Sequence, residues 1–127
     1  MSTILIVEDN EKNMKLVRDI LRLQGHGTVE ARTGAQGVQL AVAHLPDLIL
    51  MDIHLPGMDG VAALQQIRAI PALAMVPVIA VTASVMPDDE RHIAGSGFDA
   101  YLTKPISVRP FLAEVERLLR EGRKAAP

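Results

Sequence analysis

Four polar side chains in this 127-residue chain each stand at the end of an apolar run: Asp9, Asp52, Thr82 and Lys104. Leu48-Ile49-Leu50-Met51 leads straight into Asp52, and Val78-Ile79-Ala80-Val81 into Thr82. Asp9 follows Thr3–Val7 and Glu8, and Lys104 follows a short run at 99–102. Apolar runs without alternation read as strands buried on both faces, the habit of a parallel sheet. The carboxyl ends of parallel strands meet at one edge, where open α/β sheets bind ligands. Carboxylates gathered there repel and desolvate one another unless a cation joins them. Mg²⁺ suits such a place, because it takes oxygen ligands, uses few carboxylates and keeps several waters. Asp9 and Asp52 would bind it directly and Glu8 would hold a ligated water, with Lys104 adding a second positive charge on the other side and Thr82 a hydroxyl donor. This set fits phosphoryl transfer. An aspartate can form an acyl phosphate, while cation and lysine neutralise the moving group. Singly, each residue has a plainer explanation: Asp9 as a helix cap, Asp52 as a turn residue, Thr82 as a strand end, Lys104 as a solvated surface group. Four of them at four strand ends do not.

The elements that must position these residues alternate along the chain. Thr3–Val7 is the first strand. Met14, Val17, Ile20 and Leu21 then recur at helical spacing up to Gly25. Gly27–Ala31, which holds Glu30, is a weak strand expected at the sheet edge. A second helix is expected at about 35–45, with Val38, Ala41, Val42 and Leu45 inward, ending at Pro46. Leu48–Asp52 is the third strand. Gly60 opens a third helix with the stripe Val61, Leu64, Ile67 and Ile70, followed by an irregular connection at 70–77. Val78 begins the fourth strand. Pro87 and the acidic run Asp88-Asp89-Glu90 open a short fourth helix closed by Gly95-Ser96-Gly97. The last strand is placed at 99–102. Ser107 caps a final helix that buries Phe111, Val115, Leu118 and Leu119, with Pro110 at its third position, and 121–127 is a frayed polar tail. Five strand–helix repeats imply an α/β fold with a parallel sheet and helices on both faces.

Composition narrows the function. The chain is long enough for one cored domain, and 49% hydrophobic residues fit a globular protein. A formal charge of −2 gives no basic surplus for nucleic acid or acidic lipid. Phe98, Tyr101 and Phe111 are the only aromatics, too few for base-stacking surfaces. Without cysteine there is no disulfide or thiolate metal site, which is compatible with a cytoplasmic location. No apolar stretch is long enough to span a membrane, and the first run is too brief for a secretory signal. His26, His44, His54 and His92 are dispersed, without metal-ligand spacing.

The segments at 5–10 (LIVEDN), 47–60 (DLILMDIHLPGMDG), 77–83 (PVIAVTA) and 101–106 (YLTKPI) together resemble the receiver domain of two-component response regulators. The segments at 5–16 and 104–108 are most similar to the single-domain, DivK-type regulators of cell division. The resemblance implies a doubly wound five-stranded sheet of order 2-1-3-4-5, the flavodoxin-like receiver fold, over 1–122 with a tail at 123–127. It implies that a histidine kinase or histidine phosphotransfer protein donates phosphate to Asp52. Glu8 and Asp9 become the acidic pair for Mg²⁺, with Mn²⁺ as a substitute, and the backbone carbonyl of His54 becomes a further metal ligand. Thr82 and Tyr101 become the switch pair and Lys104 the phosphate-binding lysine. The Lys–Pro bond of the family is commonly cis, which Lys104-Pro105 permits. His54 and Ser84, two residues after Asp52 and Thr82, flank the expected path of an attacking water and would modulate phosphate lifetime. Output would run through protein contacts of the fourth helix, fifth strand and fifth helix. Met1 and the short tail fit a stand-alone regulator, with a receiver cut from a larger protein as the alternative.

Two other classes fit less well. An aspartyl-phosphate phosphatase of the haloacid-dehalogenase kind usually has a second aspartate two residues after its nucleophile, where this chain has His54. A flavodoxin-type cofactor binder has a Ser/Thr-rich loop after its first strand, where Glu8-Asp9 would repel phosphate.

Overall fold

The computed structural model describes residues 2–83 and 96–123. Five parallel strands, β1 (Thr3–Val7), β2 (Gly27–Ala31), β3 (Leu48–Asp52), β4 (Val78–Thr82) and β5 (Ala100–Thr103), form one sheet in the order β2-β1-β3-β4-β5. β3 and β4 are buried at every residue, as their unbroken apolar runs require. β2 is half-buried at the edge, where Glu30 is tolerated. The expected segment 84–95, with Ser84, His92 and the fourth helix, lies outside the described residues.

Helices α1 (Glu11–Leu23), α2 (Gly34–His44) and α3 (Gly60–Arg68) and the C-terminal helix (Val108–Glu121) cover both faces. On one face Met14, Val17 and Leu21 of α1 meet Phe111, Val115 and Leu118 of the C-terminal helix over Ile4, Ile6, Leu48 and Leu50. On the other, α2 and α3 pack on Leu5, Val7, Ile49 and Met51.

Several expectations are corrected. Val42 and Leu45 do not point inward; they are 50% and 55% exposed. Ala41 is buried and Val38 packs on the core as expected, and α2 also buries Gly34 and Gly37, so it packs through its smallest residues. Leu45 is its left-handed cap at φ 48°, a conformation that more often falls to glycine. The connection at 70–77 includes a short 3₁₀ turn, Pro71–Leu73. β5 runs one residue later than expected, and Asp99 precedes it. Ser107 occupies the cap position without a side-chain cap hydrogen bond. Glu121 is helical and Arg123 is held in place, so the tail is anchored at its start.

That anchor belongs to a network at the amino edge of the sheet. The Asp99 carboxylate accepts from Val78 N–H at 2.8 Å, from Arg68 at 3.0 Å and from Arg123 at 3.2 Å. Asp99 N–H donates back to the Val78 carbonyl at 2.9 Å. Arg68 also donates to the Val76 carbonyl, and Arg123 to that of Ala74. Burial and the neighbouring Arg123 lower the Arg68 pKa, against the pull of Asp99. One carboxylate thus ties the starts of β4 and β5 to the end of α3 and to the chain beyond the last helix.

Candidate functional site

Strand side chains alternate, so residues two apart share a face. Ile6 and Leu50 lie in the core beneath α1 and the C-terminal helix, with Leu102 packed against it. Glu8, Asp52 and Lys104 follow these residues by two, and the same alternation brings them together at the carboxyl edge. Lys104 Nζ lies 2.9 Å from Glu8 Oε1 and 3.0 Å from Asp52 Oδ2. Glu8 and Asp52 are buried and Asp9 is exposed. Carboxylate oxygens of all three lie within 4.8 Å of one another, the one such cluster found among the described residues.

Backbone groups hold the acids in place. His54 N–H donates to Asp52 Oδ1 at 3.0 Å, and Lys104 donates to Oδ2. Asn10 N–H donates to Glu8 Oε2 at 3.1 Å. The cap of α1 is Asn10, whose side chain accepts from Asn13 N–H at 3.0 Å, which leaves Asp9 to the cluster. Gly60 closes the loop after β3: a Cβ there would stand 2.5 Å from the Asp52 carbonyl oxygen. Its N–H donates to the Ile53 carbonyl at 3.0 Å.

Two buried carboxylates share one ammonium. Burial pushes the Glu8 carboxyl up to about 7, its hydrogen bond with Asp52 adds to the rise, and Lys104 opposes it. Burial works against the charge on Lys104, but Glu8 and Asp52 outweigh it and raise the pKa. The cluster is short of positive charge, and its donors are all oxygen. Both facts fit a hard divalent cation such as Mg²⁺.

Thr82 is buried at the end of β4, and its carbonyl accepts from Lys104 N–H at 2.8 Å. Tyr101 pairs with Ala80 and Thr103 with Thr82, so Tyr101 lies on the same sheet face as Thr82. Its side chain is 40% exposed. His54 is exposed beside Asp52, and the Lys104-Pro105 bond is cis. Lys104 does not oppose the acids from across the site: it bridges Glu8 and Asp52 directly. The His54 amide contact went unread in the sequence, because a backbone donor leaves no residue-type signal.

The chain matches the response regulator receiver domain family over residues 4–116. It is 44% identical over 120 residues to the polar-differentiation response regulator DivK of Brucella ovis, covering 94% of this chain and 98% of that protein. Among solved structures, a receiver domain of a Syntrophus aciditrophicus histidine kinase is 32% identical, with a TM-score of 0.89 over 99% of this chain and 96% of that one. A receiver domain of a Pseudomonas aeruginosa sensor histidine kinase, with a magnesium ion coordinated in its active-site cleft, is 36% identical, with a TM-score of 0.82 over 94% and 95%. Sheet order, acidic cluster and sequence therefore agree, and the chain belongs to the response regulator receiver domains, phosphoacceptor switches of two-component signalling rather than enzymes in the ordinary sense.

Proposed function

We propose that Asp52 accepts a phosphoryl group from a histidine kinase or a histidine phosphotransfer protein, in a stand-alone regulator of the DivK kind working in the cytoplasm. The observation that carries this is the setting of the Asp52 carboxylate, one oxygen on the His54 amide and the other on Lys104, beside Glu8 and Asp9. An ionised carboxylate offers about four lone-pair sites, so two hydrogen bonds leave it able to attack. An Asp52 oxygen forms the new O–P bond as the N–P bond of the donor phosphohistidine breaks, and the imidazole leaves with the electron pair. Lys104, already on Asp52, follows the transferred charge, and Thr82 donates its hydroxyl to a phosphoryl oxygen. Glu8, Asp9, Asp52 and the His54 carbonyl would hold Mg²⁺, or Mn²⁺ in its place. When bound, the cation neutralises charge on the transferring group.

The output runs through Tyr101 of β5, the C-terminal helix and the segment at 84–95. Support comes from Tyr101 lying on the Thr82 face of the sheet, 40% exposed, so that a phosphate contact at Thr82 has an aromatic neighbour to move. The test is incubation with acetyl phosphate and Mg²⁺. Acid-stable, base-labile label must appear in the wild type and be absent from Asp52→Asn and from wild type in EDTA. Equal labelling of Asp52→Asn refutes the assignment.

A further inference from the structure

The loop at 53–59 carries the His54 peptide, and besides the His54–Asp52 and Gly60–Ile53 bonds three further fastenings hold it. Ile53 N–H donates to the Val81 carbonyl at 3.0 Å. Leu55 is buried in the α2–α3 core. The third fastening is far from the acids: Gly34, the first residue of α2, lies against Met58. A Cβ built on Gly34 would stand 2.8 Å from the Met58 carbonyl oxygen, 3.2 Å from its Cβ and 3.3 Å from its Cγ. The first of these is backbone, which cannot swing aside as a side-chain tip can. Helix and loop therefore fit only while residue 34 lacks a side chain. Three residues on, a Cβ built on Gly37 would stand 2.8 Å from Val7 Cγ2, so α2 is also seated too closely on β1 to slide further toward the sheet.

We propose that Gly34 is a positioning residue for the metal site: by admitting the Met58 peptide against α2, it fixes the loop that presents His54, and so sets Mg²⁺ affinity from outside the cluster. This rests on the proposed metal set, in which the His54 carbonyl is a ligand. The His54 amide is already on Asp52 Oδ1, so a shift of the loop misplaces the carbonyl and the Asp52 carboxylate together. Partners that orient metal ligands commonly govern affinity by 10- to 100-fold. A displaced peptide costs more than a lost contact, because the reach of the loop is set at both ends.

The experiment is a Mg²⁺ titration of thermal stability for wild type, Gly34→Ala, Met58→Ala and Leu21→Ala. Leu21 of α1 is fully buried on the opposite face of the sheet from Leu55 and serves as a destabilised control. Gly34→Ala is expected to weaken Mg²⁺ by about tenfold, Met58→Ala to weaken it less, and Leu21→Ala to lower the melting temperature with the dissociation constant unchanged. If Gly34→Ala does not fold, Met58→Ala decides, since it removes the Met58 Cγ that packs on Gly34 and so loosens the side-chain part of the same contact without a clash. Dissociation constants within about twofold of wild type for the folded loop variants overturn the proposal. So does a Leu21→Ala variant as impaired as they are. A wild type without any Mg²⁺ response overturns the metal set itself, an outcome distinct from the others.

Discussion

Lys104→Met removes the one ammonium on Glu8 and Asp52 among the described residues while keeping the apolar stem. Nζ lies 2.9 and 3.0 Å from the two carboxylates, and both are buried. Removing one partner of a fully buried pair costs about 3–5 kcal/mol. The Lys104 side chain is 20% exposed at a solvent-facing edge, so a smaller figure of about 2–3 kcal/mol is appropriate. For a domain of this size that lowers the melting temperature by about 10 °C. The loss belongs to the metal-free state. A cation that binds only the native protein adds about 2.7 kcal/mol at 100 times its dissociation constant, and the variant site, one charge more negative, gains more than the wild type. Urea unfolding of both proteins in EDTA and in saturating Mg²⁺ reads this directly. The gap between them should be wide in EDTA and narrow in Mg²⁺. A gap of the same size in both media, or none in EDTA, refutes the picture of two carboxylates short of a counter-charge.

Asp99→Ala strips three hydrogen bonds or ion pairs from the amino edge, those to Val78 N–H, Arg68 and Arg123, and should cost about 3 kcal/mol in urea unfolding; a loss below about 1 kcal/mol would make the network ornamental. Asn10→Ala removes the α1 cap and should cost about 1 kcal/mol, with Mg²⁺ binding retained. Thr82→Ala and Tyr101→Ala should both accept phosphate at Asp52 yet lose most of the phosphate-dependent gain in partner affinity, measured by titration calorimetry; a full gain in Tyr101→Ala places the coupling elsewhere. His54→Ala and Ser84→Ala should each change the decay of phosphorylated protein severalfold without preventing phosphorylation, and unchanged decay in both rejects their role.

Strands buried on both faces were legible because nothing but an apolar run survives there, and the polar residue that ends each run marks the carboxyl edge. The acidic cluster followed from those ends, with Asp9 and Asp52 where their runs placed them, while Lys104 reached the same edge but lies on the acids and not opposite them. α2 was misread in part because periodicity weighs bulky residues: Val38 and Ala41 face the core as expected, but the helix also packs closely through Gly34 and Gly37 and turns Val42 and Leu45 outward. Glycine contributes little to a hydrophobic stripe, yet close approach is what it provides. The Asp99 network was invisible for another reason. Its partners are 24 and 31 residues away, and an isolated Arg or Asp reads as a solvated surface group until the chain is folded.

Asp99 also determines how β5 can move. Its bonds to Val78, Arg68 and Arg123 make the amino end of the strand a clamped root. The other end terminates at Lys104, whose ammonium is held by charge. At roughly 3.3 Å per residue, Lys104 sits about 16 Å from that root and Tyr101 about 7 Å. A tilt that carries Lys104 by about 1 Å therefore carries the Tyr101 backbone by only about 0.4 Å. The ladder to β4, which runs the length of β5 and ends at Lys104 N–H on the Thr82 carbonyl, restrains the backbone further, so an answer of Tyr101 to a pull on Lys104 is to be sought in its rotamer populations rather than in displacement of its backbone.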